Sequence, residues 1–543
     1  MVRAERHVPP TATWFHIARN RPRTVVGSLA GGMIGRGPGS RRRLIVATAV
    51  VQEQQLLKTL RWYDGFVIAL ANPGFLLLSL PYSVTDLGGW GAAMLWGISA
   101  IVAVFINTIY SELATMFPEK SGGLALYAHE AWRKYTTLVG PIATFGYWIG
   151  WSVVLSTSGL FIGSVIGGTW FPTAKGGSYL AADGYFSTGA AEVGLPALIA
   201  IVLILCVWLF NVFGARVGVS FGYAAGVLLM VPLFIMMILP FLNGSFDSAN
   251  LTNKLGDSGL AWGGLQLALV WLWLMCWSAW GVDVCATFAP EYKDTVRDTK
   301  LALRSAALFS MVVYIVLPIG LIGGAGPKLV EAYDYPGAMN KIIGSTRFTD
   351  FFVVCLIASF IITMNTATAD GGRALYGIAR DDMTIKQLGK LNRFSVPGTA
   401  MTMDMVFNVL LCLFVGNIFG ILAASNLGYV LAHMFALSGF VLLRKDRPNW
   451  PRPIKLRAIW TPIAGILAVW CLILTIVGFG YFQTAAGGYG GSKEKVIGVG
   501  VLVIGVLLFF FRRIVQDKEK VHWREDTPLM PETHQAATGA PVA

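Results

Sequence analysis

Charged side chains are scarce in this sequence. Asp, Glu, Lys and Arg make up 13% of the 543 residues, whereas apolar residues make up 55%. A soluble globular domain has about 25% charged residues, so this chain has too little charge to cover a surface that faces water. The composition therefore excludes an ordinary soluble domain and predicts a protein that lies mostly in a membrane.

Motifs of several other functional classes are absent as well. The sequence has no His-Glu-x-x-His zinc motif and no Gly-rich phosphate loop ending in Gly-Lys-Ser/Thr, so we expect neither an enzyme nor a nucleotide-driven pump. Its few cysteines show no metal-ligand spacing, and we expect no disulfide, metal site or cofactor. They are Cys206, Cys276, Cys285, Cys355, Cys412 and Cys471.

Long apolar runs recur along the chain. About 20 helical residues cross the ~30 Å hydrocarbon core of a bilayer, and the runs lack the strict alternation of barrel strands. We therefore predict an all-α integral membrane protein with twelve transmembrane helices. The predicted spans are 65–83, 91–116, 140–167, 194–212, 218–242, 264–288, 302–324, 350–376, 399–417, 419–443, 459–481 and 496–511. For 399–443, one long tilted helix is an alternative.

The net charge of +13 would suit a nucleic-acid partner, but its distribution indicates a membrane topology instead. With twelve spans, most Lys and Arg residues fall in the two tails and in loops on the same side, which marks the cytoplasmic side. We expect both termini in the cytoplasm, a plasma-membrane location and no nucleic-acid partner.

The two ends of the chain differ from its middle. Residues 1–60 are basic and lack periodicity, which predicts a disordered cytoplasmic tail; a translation start near Val51 is the alternative. Residues 61–515 form the predicted membrane domain, and 516–543 form a second cytoplasmic tail.

Two of the predicted spans are interrupted. The first, DGFVIALANPGFLLLSLPYS (64–83), has Asn72, Pro73 and Gly74 in its middle, and the sixth has polar and Gly residues over 278–281. Pro and Gly weaken a helix, and unwound backbone in lipid is costly unless something binds it. Two breaks five spans apart are typical of inverted-repeat transporters. Kinked helices without a ligand are the alternative.

Four segments of the chain resemble a known family. YSELATMFPEKSGGLALYAHEA (110–131), FGYWIGWSV (145–153), NVFGARVG (211–218) and NTATADGGRALYGIARDD (365–382) are similar to conserved stretches of the amino acid–polyamine–organocation (APC) superfamily of permeases. The first of these segments is the most specific.

The resemblance implies a fold and a substrate site. The fold would be a five-plus-five inverted repeat (LeuT-like) with repeats at about 63–242 and 264–443, broken helices one and six, and extra helices over 459–511. The substrate carboxylate would bind at the break of helix one, and its amino group and side chain at helix six. The implied residues are Ala71, Asn72, Pro73, Gly74, Trp277, Ser278, Ala279, Trp280 and Gly281, to which the aromatic residues Trp148 and Trp151 of helix three add a pocket wall. Pro73 departs from the usual Gly-rich pattern and lacks a backbone donor.

Ionisable residues inside spans are functional candidates, because an acid at a helix centre costs roughly 2.5–3.5 kcal/mol on insertion scales. Asp283 would bind substrate or a proton, or would hold the break open as a buried acid. Asp370 would carry a proton or a cation, or would pair with Arg373 on the same helix face. His433 is expected to be an ordinary core histidine with satisfied nitrogens.

The residues and the resemblance together predict a secondary active transporter of amino acids, with a proton favoured over sodium as the coupling ion. A transporter of organic amines or polyamines, which Asp283 would bind, is the alternative. The expected partners are the small-molecule substrate, the coupling ion and the lipid bilayer, and we expect a monomer or a homodimer.

Overall fold

The computed structural model describes residues 56–528 except 173–184, 188–191, 415–417 and 487–488. The predictions for the basic tail before residue 56, including the late translation start, lie outside the described residues.

The described chain is built almost entirely of helices. Two-residue strands, β1 Phe186–Ser187 and β2 Glu192–Val193, pair antiparallel in one connection. The α-helices are α1 Trp62–Ala69, α2 Asn72–Met116, α3 Gly123–Trp132, α4 Val139–Ser152, α5 Val154–Trp170, α6 Leu195–Val212, α7 Ala215–Met237, α8 Leu239–Asn243, α9 Gly264–Ala279, α10 Val284–Thr287, α11 Thr295–Ala325, α12 Pro327–Glu331, α13 Tyr335–Ile343, α14 Thr349–Arg380, α15 Gly398–Phe414, α16 Ile418–Asp446, α17 Trp460–Ala485 and α18 Ser492–Phe511.

Many of these helices are suited to a bilayer. In the part of the chain that the structure describes, nine helical stretches are long and apolar enough to cross a membrane, and Gly222–Met237 and Gly398–Phe414 are shorter apolar helices. The stretch Trp62–Met116 has 55 residues, which at 1.5 Å per residue is far longer than one ~30 Å crossing. The predicted helical membrane protein is confirmed.

This long stretch changes direction at Gly88, between the first two predicted spans. Gly88 has a φ of 73° inside α2, and a Cβ on it would lie 2.6 Å from the Thr252 carbonyl oxygen. Only glycine has the conformational freedom and the small size that this position requires. The two predicted spans are therefore joined by a bend instead of a loop.

The region 399–443 holds two helices that pack against different neighbours. Helix α15 packs mainly against α14 and α6, whereas α16 packs against α4, α17 and α3. Residues 415–417 between them lie outside the described residues, so the choice between two helices and one long tilted helix stays a prediction.

The predicted first and sixth spans are both interrupted, but the first break lies just before the predicted residues, and Asn72, Pro73 and Gly74 begin α2. The first falls at Leu70–Ala71, between α1 and α2, and the second at Trp280, after which a 3₁₀ turn, Gly281–Asp283, leads into α10. A third interruption, at Val153 between α4 and α5, was not predicted, because nothing in FGYWIGWSV is a helix breaker at that point.

The predicted tails contact the helical body where the structure describes them. Leu60 is 1% exposed and pairs through its backbone with Glu291 and Lys293. At the other end, the Glu525 backbone N–H donates to the Arg133 carbonyl oxygen at 2.9 Å. The packed part of the chain therefore begins before residue 60 and extends past residue 516.

Glycines allow α4 and α16 to approach each other closely. A Cβ on Gly146 would overlap the Gly428 carbonyl group, and a Cβ on Gly428 would overlap the Gly146 backbone. Such small-residue crossings replace the hydrophobic driving force that lipid does not supply. They hold helix three against the second half of the chain.

We predict that Gly428→Ala destabilises the protein by about 1–3 kcal/mol, the usual range for overpacking. The measurement is the thermal unfolding of the purified protein in detergent. Gly465→Ala on α17 is the matched control, since a Cβ there meets nothing within 4 Å. Equal unfolding temperatures of the two variants would contradict the close crossing.

Candidate functional site

The two helix breaks face each other and are joined by one side chain. The hydroxyl oxygen of Tyr314, on α11, lies 2.9 Å from the Asn72 carbonyl oxygen, 2.9 Å from the Ser278 carbonyl oxygen and 2.7 Å from Ser278 Oγ. Tyr314 is fully buried. A single hydroxyl therefore links the backbone of the first break to that of the second.

Helix α14 supplies hydroxyl groups to the first break. Thr366 Oγ1 donates to the Ile68 carbonyl oxygen at 2.8 Å, and Thr363 Oγ1 donates to the Ala71 carbonyl oxygen at 3.1 Å. A Cβ on Gly74 would collide with Thr363 Oγ1. Gly74 is therefore required for the close approach of α2 to α14.

Asn72 lies between the two breaks. Its Nδ2 donates to Ser310 Oγ at 3.0 Å, whereas its buried Oδ1 has no hydrogen-bond partner. A Cβ on Gly281 would lie 3.0 Å from that Oδ1. An unused acceptor thus faces the second break at the point where glycine leaves the approach open.

Aromatic rings form one wall of this region. The ring centroid of Phe75 lies 5.1 Å from that of Trp277 and 5.4 Å from that of Trp151. Trp277 Nε1 donates to the Gly150 carbonyl oxygen at 2.9 Å. The structure therefore brings together the predicted residues Asn72, Trp151, Trp277, Ser278 and Gly281, with Ala71, Gly74 and Ala279 beside them in the backbone.

Two predicted pocket residues point elsewhere. Trp148 donates to Asp404 Oδ1 at 3.0 Å and packs on Phe407, both on α15. Trp280 donates to the Ser99 carbonyl oxygen at 3.2 Å, on α2. The indole N–H groups of Trp148 and Trp280 therefore bind α15 and α2 instead of groups at the facing break.

Asp283 is buried at the second break. Its Oδ1 accepts from Tyr429 Oη at 3.1 Å, and its Oδ2 lies 3.6 Å from His433 Nε2. His433 Nδ1 lies 2.7 Å from Tyr110 Oη, but Nε2 has no hydrogen-bond partner. The prediction of a fully satisfied His433 is therefore wrong.

The predicted ion pair between Asp370 and Arg373 is also wrong. The Arg373 guanidinium binds the Glu291 carboxylate instead, with Nη2 3.1 Å from Oε2, and lies over the ring of Phe288. Glu291 follows the second break in sequence, and the fold places its carboxylate closer to Arg373 than the carboxylate of Asp370, which is on the same helix as Arg373. Asp370 is fully buried, and the hydroxyl groups of Thr287 and Tyr147 lie beside its carboxyl group.

A third buried acid, Asp404 on α15, lies near Asp370. A Cβ on Gly371 would lie 3.6 Å from Asp404 Oδ1. Asp404 Oδ2 has no hydrogen-bond partner. Among the described ion pairs, none joins Asp283, Asp370 or Asp404 to a Lys or Arg. These three carboxyl groups therefore lack the close Arg partner that Glu291 has.

Known proteins resemble this chain over the same region. The sequence profile of an amino acid permease family matches residues 65–509. The chain belongs to this amino acid permease family.

Characterised relatives of this chain are named for several different substrates. The glutamate/serine transporter AimA of Bacillus subtilis is 22% identical over 70% of this chain and 69% of its own. The gamma-aminobutyric acid permease of Bacillus subtilis is 20% identical over 80% of this chain and 89% of its own. The cadaverine/lysine antiporter of Escherichia coli K12 is 23% identical over 80% and 90%.

Several residues of this site are absent from the prediction, among them Asp404, Phe75 and Tyr314, and the predicted role of His433 is an ordinary one. Asp404 is an acid in an apolar run and carries the same signal as Asp370, so it was detectable. His433 was noticed, but its position beside Asp283 depends on the contact between α16 and the second break. Phe75 lies in a run of apolar residues, and nothing in the sequence distinguishes it from its neighbours.

Ion pairs lie just past the C-terminal ends of α2, α14 and α16. Lys120 Nζ lies 2.7 Å from Glu130 Oε1 and 2.7 Å from Asp381 Oδ1, and Arg447 binds the same Glu130. Burial acts to raise the pKa of Glu130, but Lys120, His129 and Arg447 outweigh it and lower the pKa to about 2. Acids at these helix ends are therefore neutralised by bases, in contrast to the three acids near the breaks.

We predict that Tyr314→Phe lowers the stability of the permease by about 1–3 kcal/mol, because the buried carbonyl groups of Asn72 and Ser278 lose the one hydroxyl proton that they share. Thermal unfolding of the purified protein measures the change. Tyr481→Phe is the control, since Tyr481 is 41% exposed on α17. If both variants unfold at the same temperature, the hydroxyl does not support the breaks.

Proposed function

We propose that this permease is a secondary active transporter that moves amino acids across the plasma membrane by alternating access. The observation that carries the proposal is the pair of facing helix breaks, held together by Tyr314, with the unused Asn72 Oδ1 between them. Backbone groups at such breaks bind charged substrate groups in inverted-repeat transporters. The names of the relatives support small amino acids and amines as the substrate class.

The proposed topology has twelve spans. The first repeat comprises α1–α8, the second comprises α9–α16, and α17 and α18 are additional. Both termini are cytoplasmic in this arrangement, which agrees with the position of the basic loops. The permease acts as a monomer or a homodimer.

Each break has a role in the proposed substrate site. The start of α2, at Ala71–Gly74, presents the positive end of a helix dipole to the substrate carboxylate. The end of α9, at Trp277–Gly281, presents carbonyl groups to the substrate ammonium. Trp151 and Phe75 contact the substrate side chain, and Trp148 supports this wall from behind.

The proposed coupling ion is a proton, with sodium as the alternative, carried by Asp370 or Asp283. A buried carboxylate without a counter-ion is costly in the bilayer, so each of these acids gains stability when it binds a cation. Binding and release of that cation on opposite sides of the membrane would drive accumulation of the substrate.

We predict that an amino acid substrate raises the unfolding temperature of the wild-type protein and that Asn72→Ala weakens its binding about tenfold, the effect of one lost hydrogen bond to a charged group. A thermal-shift screen against amino acids and amines, followed by uptake into proteoliposomes, measures both. A ligand that stabilises the wild type and Asn72→Ala equally would remove Asn72 from the site, and the absence of any stabilising ligand or uptake would argue against the transporter.

A second candidate function is the transport of organic amines. The three buried acids without basic partners favour it, because a cationic substrate would neutralise them, and one relative is named a cadaverine/lysine antiporter. In this case Asp283 binds the substrate ammonium.

We predict that Asp283→Asn separates the two candidates. If the substrate is an amine, the variant loses exchange of labelled amine at equal pH on both sides of the membrane, because the carboxylate that binds the amine is gone. If the substrate is an amino acid, exchange at equal pH is retained. The control is Asp247→Asn, a change to an exposed residue at a turn outside the spans, which should leave exchange intact.

A further inference from the structure

His433 lies in a cage of aromatic rings from three elements. Its ring centroid lies 4.6 Å from that of Tyr429, 5.1 Å from that of Trp280 and 5.7 Å from that of Tyr110. The rings of Tyr429 and Trp280 are edge-to-face with the imidazole, and that of Tyr110 is stacked on it. Together these rings enclose the imidazole, which is 0% exposed.

The carboxylate of Asp283 lies beside the imidazole of His433. Asp283 Oδ2 lies 3.6 Å from His433 Nε2, and neither atom has a hydrogen-bond partner. The other polar atoms of the two groups are used, since Oδ1 accepts from Tyr429 and Nδ1 lies 2.7 Å from Tyr110 Oη. One acidic and one basic atom, both fully buried, therefore face each other.

Among the described residues, the titratable groups that interact with Asp283 through their charge include no Lys or Arg. They are Tyr110 on α2, Tyr127 on α3, Tyr147 on α4, Cys285 on α10, Asp370 on α14 and Tyr429 on α16. An ionised Asp283 with a neutral His433 would leave an unbalanced negative charge in the membrane interior, which one added proton removes.

We propose that Asp283 and His433 form one proton-binding site, in which a single proton is held between Asp283 Oδ2 and His433 Nε2. The proton enters from water, binds to one of the two atoms and leaves as the same proton, so no other bond changes. His433 is the second half of this site and is more than a packing residue.

The site is placed to couple proton binding to the second break. Asp283 belongs to the 3₁₀ turn Gly281–Asp283 directly after Trp280, whereas His433 belongs to the continuous helix α16. A proton turns the 3.6 Å gap into a hydrogen bond and draws this turn toward α16, and its loss frees the turn. This link to transport rests on the proposed function, whereas the proton site itself does not.

The first test measures protonation directly and needs no substrate. Full-length protein in lipid bilayers is labelled with nitrogen-15 histidine and carbon-13 aspartate, and solid-state NMR spectra are recorded between about pH 5 and about pH 8, the range in which histidine switches are active. The chain has 6 His residues, and His433→Gln and Asp283→Asn assign the two signals. His522→Gln, a change to an exposed residue near the C-terminus, is the matched control.

The expected result is a proton on one member of the pair at the acidic end of this range. Asp283→Asn should lower the proton affinity of His433 at least about tenfold, since a carboxylate at this distance shifts proton binding by one unit or more. His522→Gln should leave both signals unchanged. An ionised Asp283 with a neutral His433 at every pH would overturn the proposal, as would a His433 nitrogen-15 signal that is the same in Asp283→Asn and in the wild type at every pH.

The second test separates coupling from transport. Proteoliposomes are assayed with labelled lysine and labelled serine, once under an imposed pH gradient and once as exchange at equal pH. His433→Gln should lose at least about tenfold of the gradient-driven accumulation, matching the lost proton affinity, while exchange at equal pH persists. Accumulation by His433→Gln at the wild-type level would overturn the coupling role. A wild type that transports neither compound would count against the proposed function, and the spectra would still decide the proton site.

Discussion

The structure depends on one constraint: backbone polar groups in the bilayer interior must find partners within the protein. Two helices are interrupted in the packed interior, and the carbonyl groups of Ile68, Asn72 and Ser278 accept hydrogen bonds from side-chain hydroxyl groups there. Thr366 supplies the hydroxyl for Ile68, and Tyr314 supplies it for Asn72 and Ser278. Because Tyr314 serves both breaks with one hydroxyl, it also fixes the position of each break relative to the other.

The distribution of charge follows from the same constraint. Glu291 and Glu130 lie toward one end of the helices, and both bind arginine side chains. Asp283, Asp370 and Asp404 lie near the breaks and have no such partner. Acids that serve only to hold the fold would be expected to be paired, as the first two are. The unpaired acids therefore indicate a region that accepts a mobile cation, either a proton or a basic substrate group.

Membership of an amino acid permease family agrees with this arrangement but does not decide whether the mobile cation is a proton or a basic group of the substrate. The relatives include transporters named for acidic, neutral and basic substrates, although each is only 20–23% identical to this chain. We infer that a few side chains around the breaks determine which substrate and which ion this permease binds. His433 is notable among them, because its aromatic cage and its contact with Asp283 combine groups from three parts of the chain.

The sequence by itself determined the features that are local. Length of apolar runs predicted the helices, and Gly or polar residues inside such runs predicted both breaks, because helix propensity and hydration depend on neighbouring residues. The same reasoning identified Asp283 and Asp370 and could have identified Asp404. Only the tertiary structure decided the partners. Arg373 binds Glu291, which is distant in sequence, instead of Asp370 on its own helix. Trp148 donates a hydrogen bond to Asp404, and His433 lies beside Asp283. Such pairings depend on the packing of helices far apart in sequence, and no local pattern records which faces will meet.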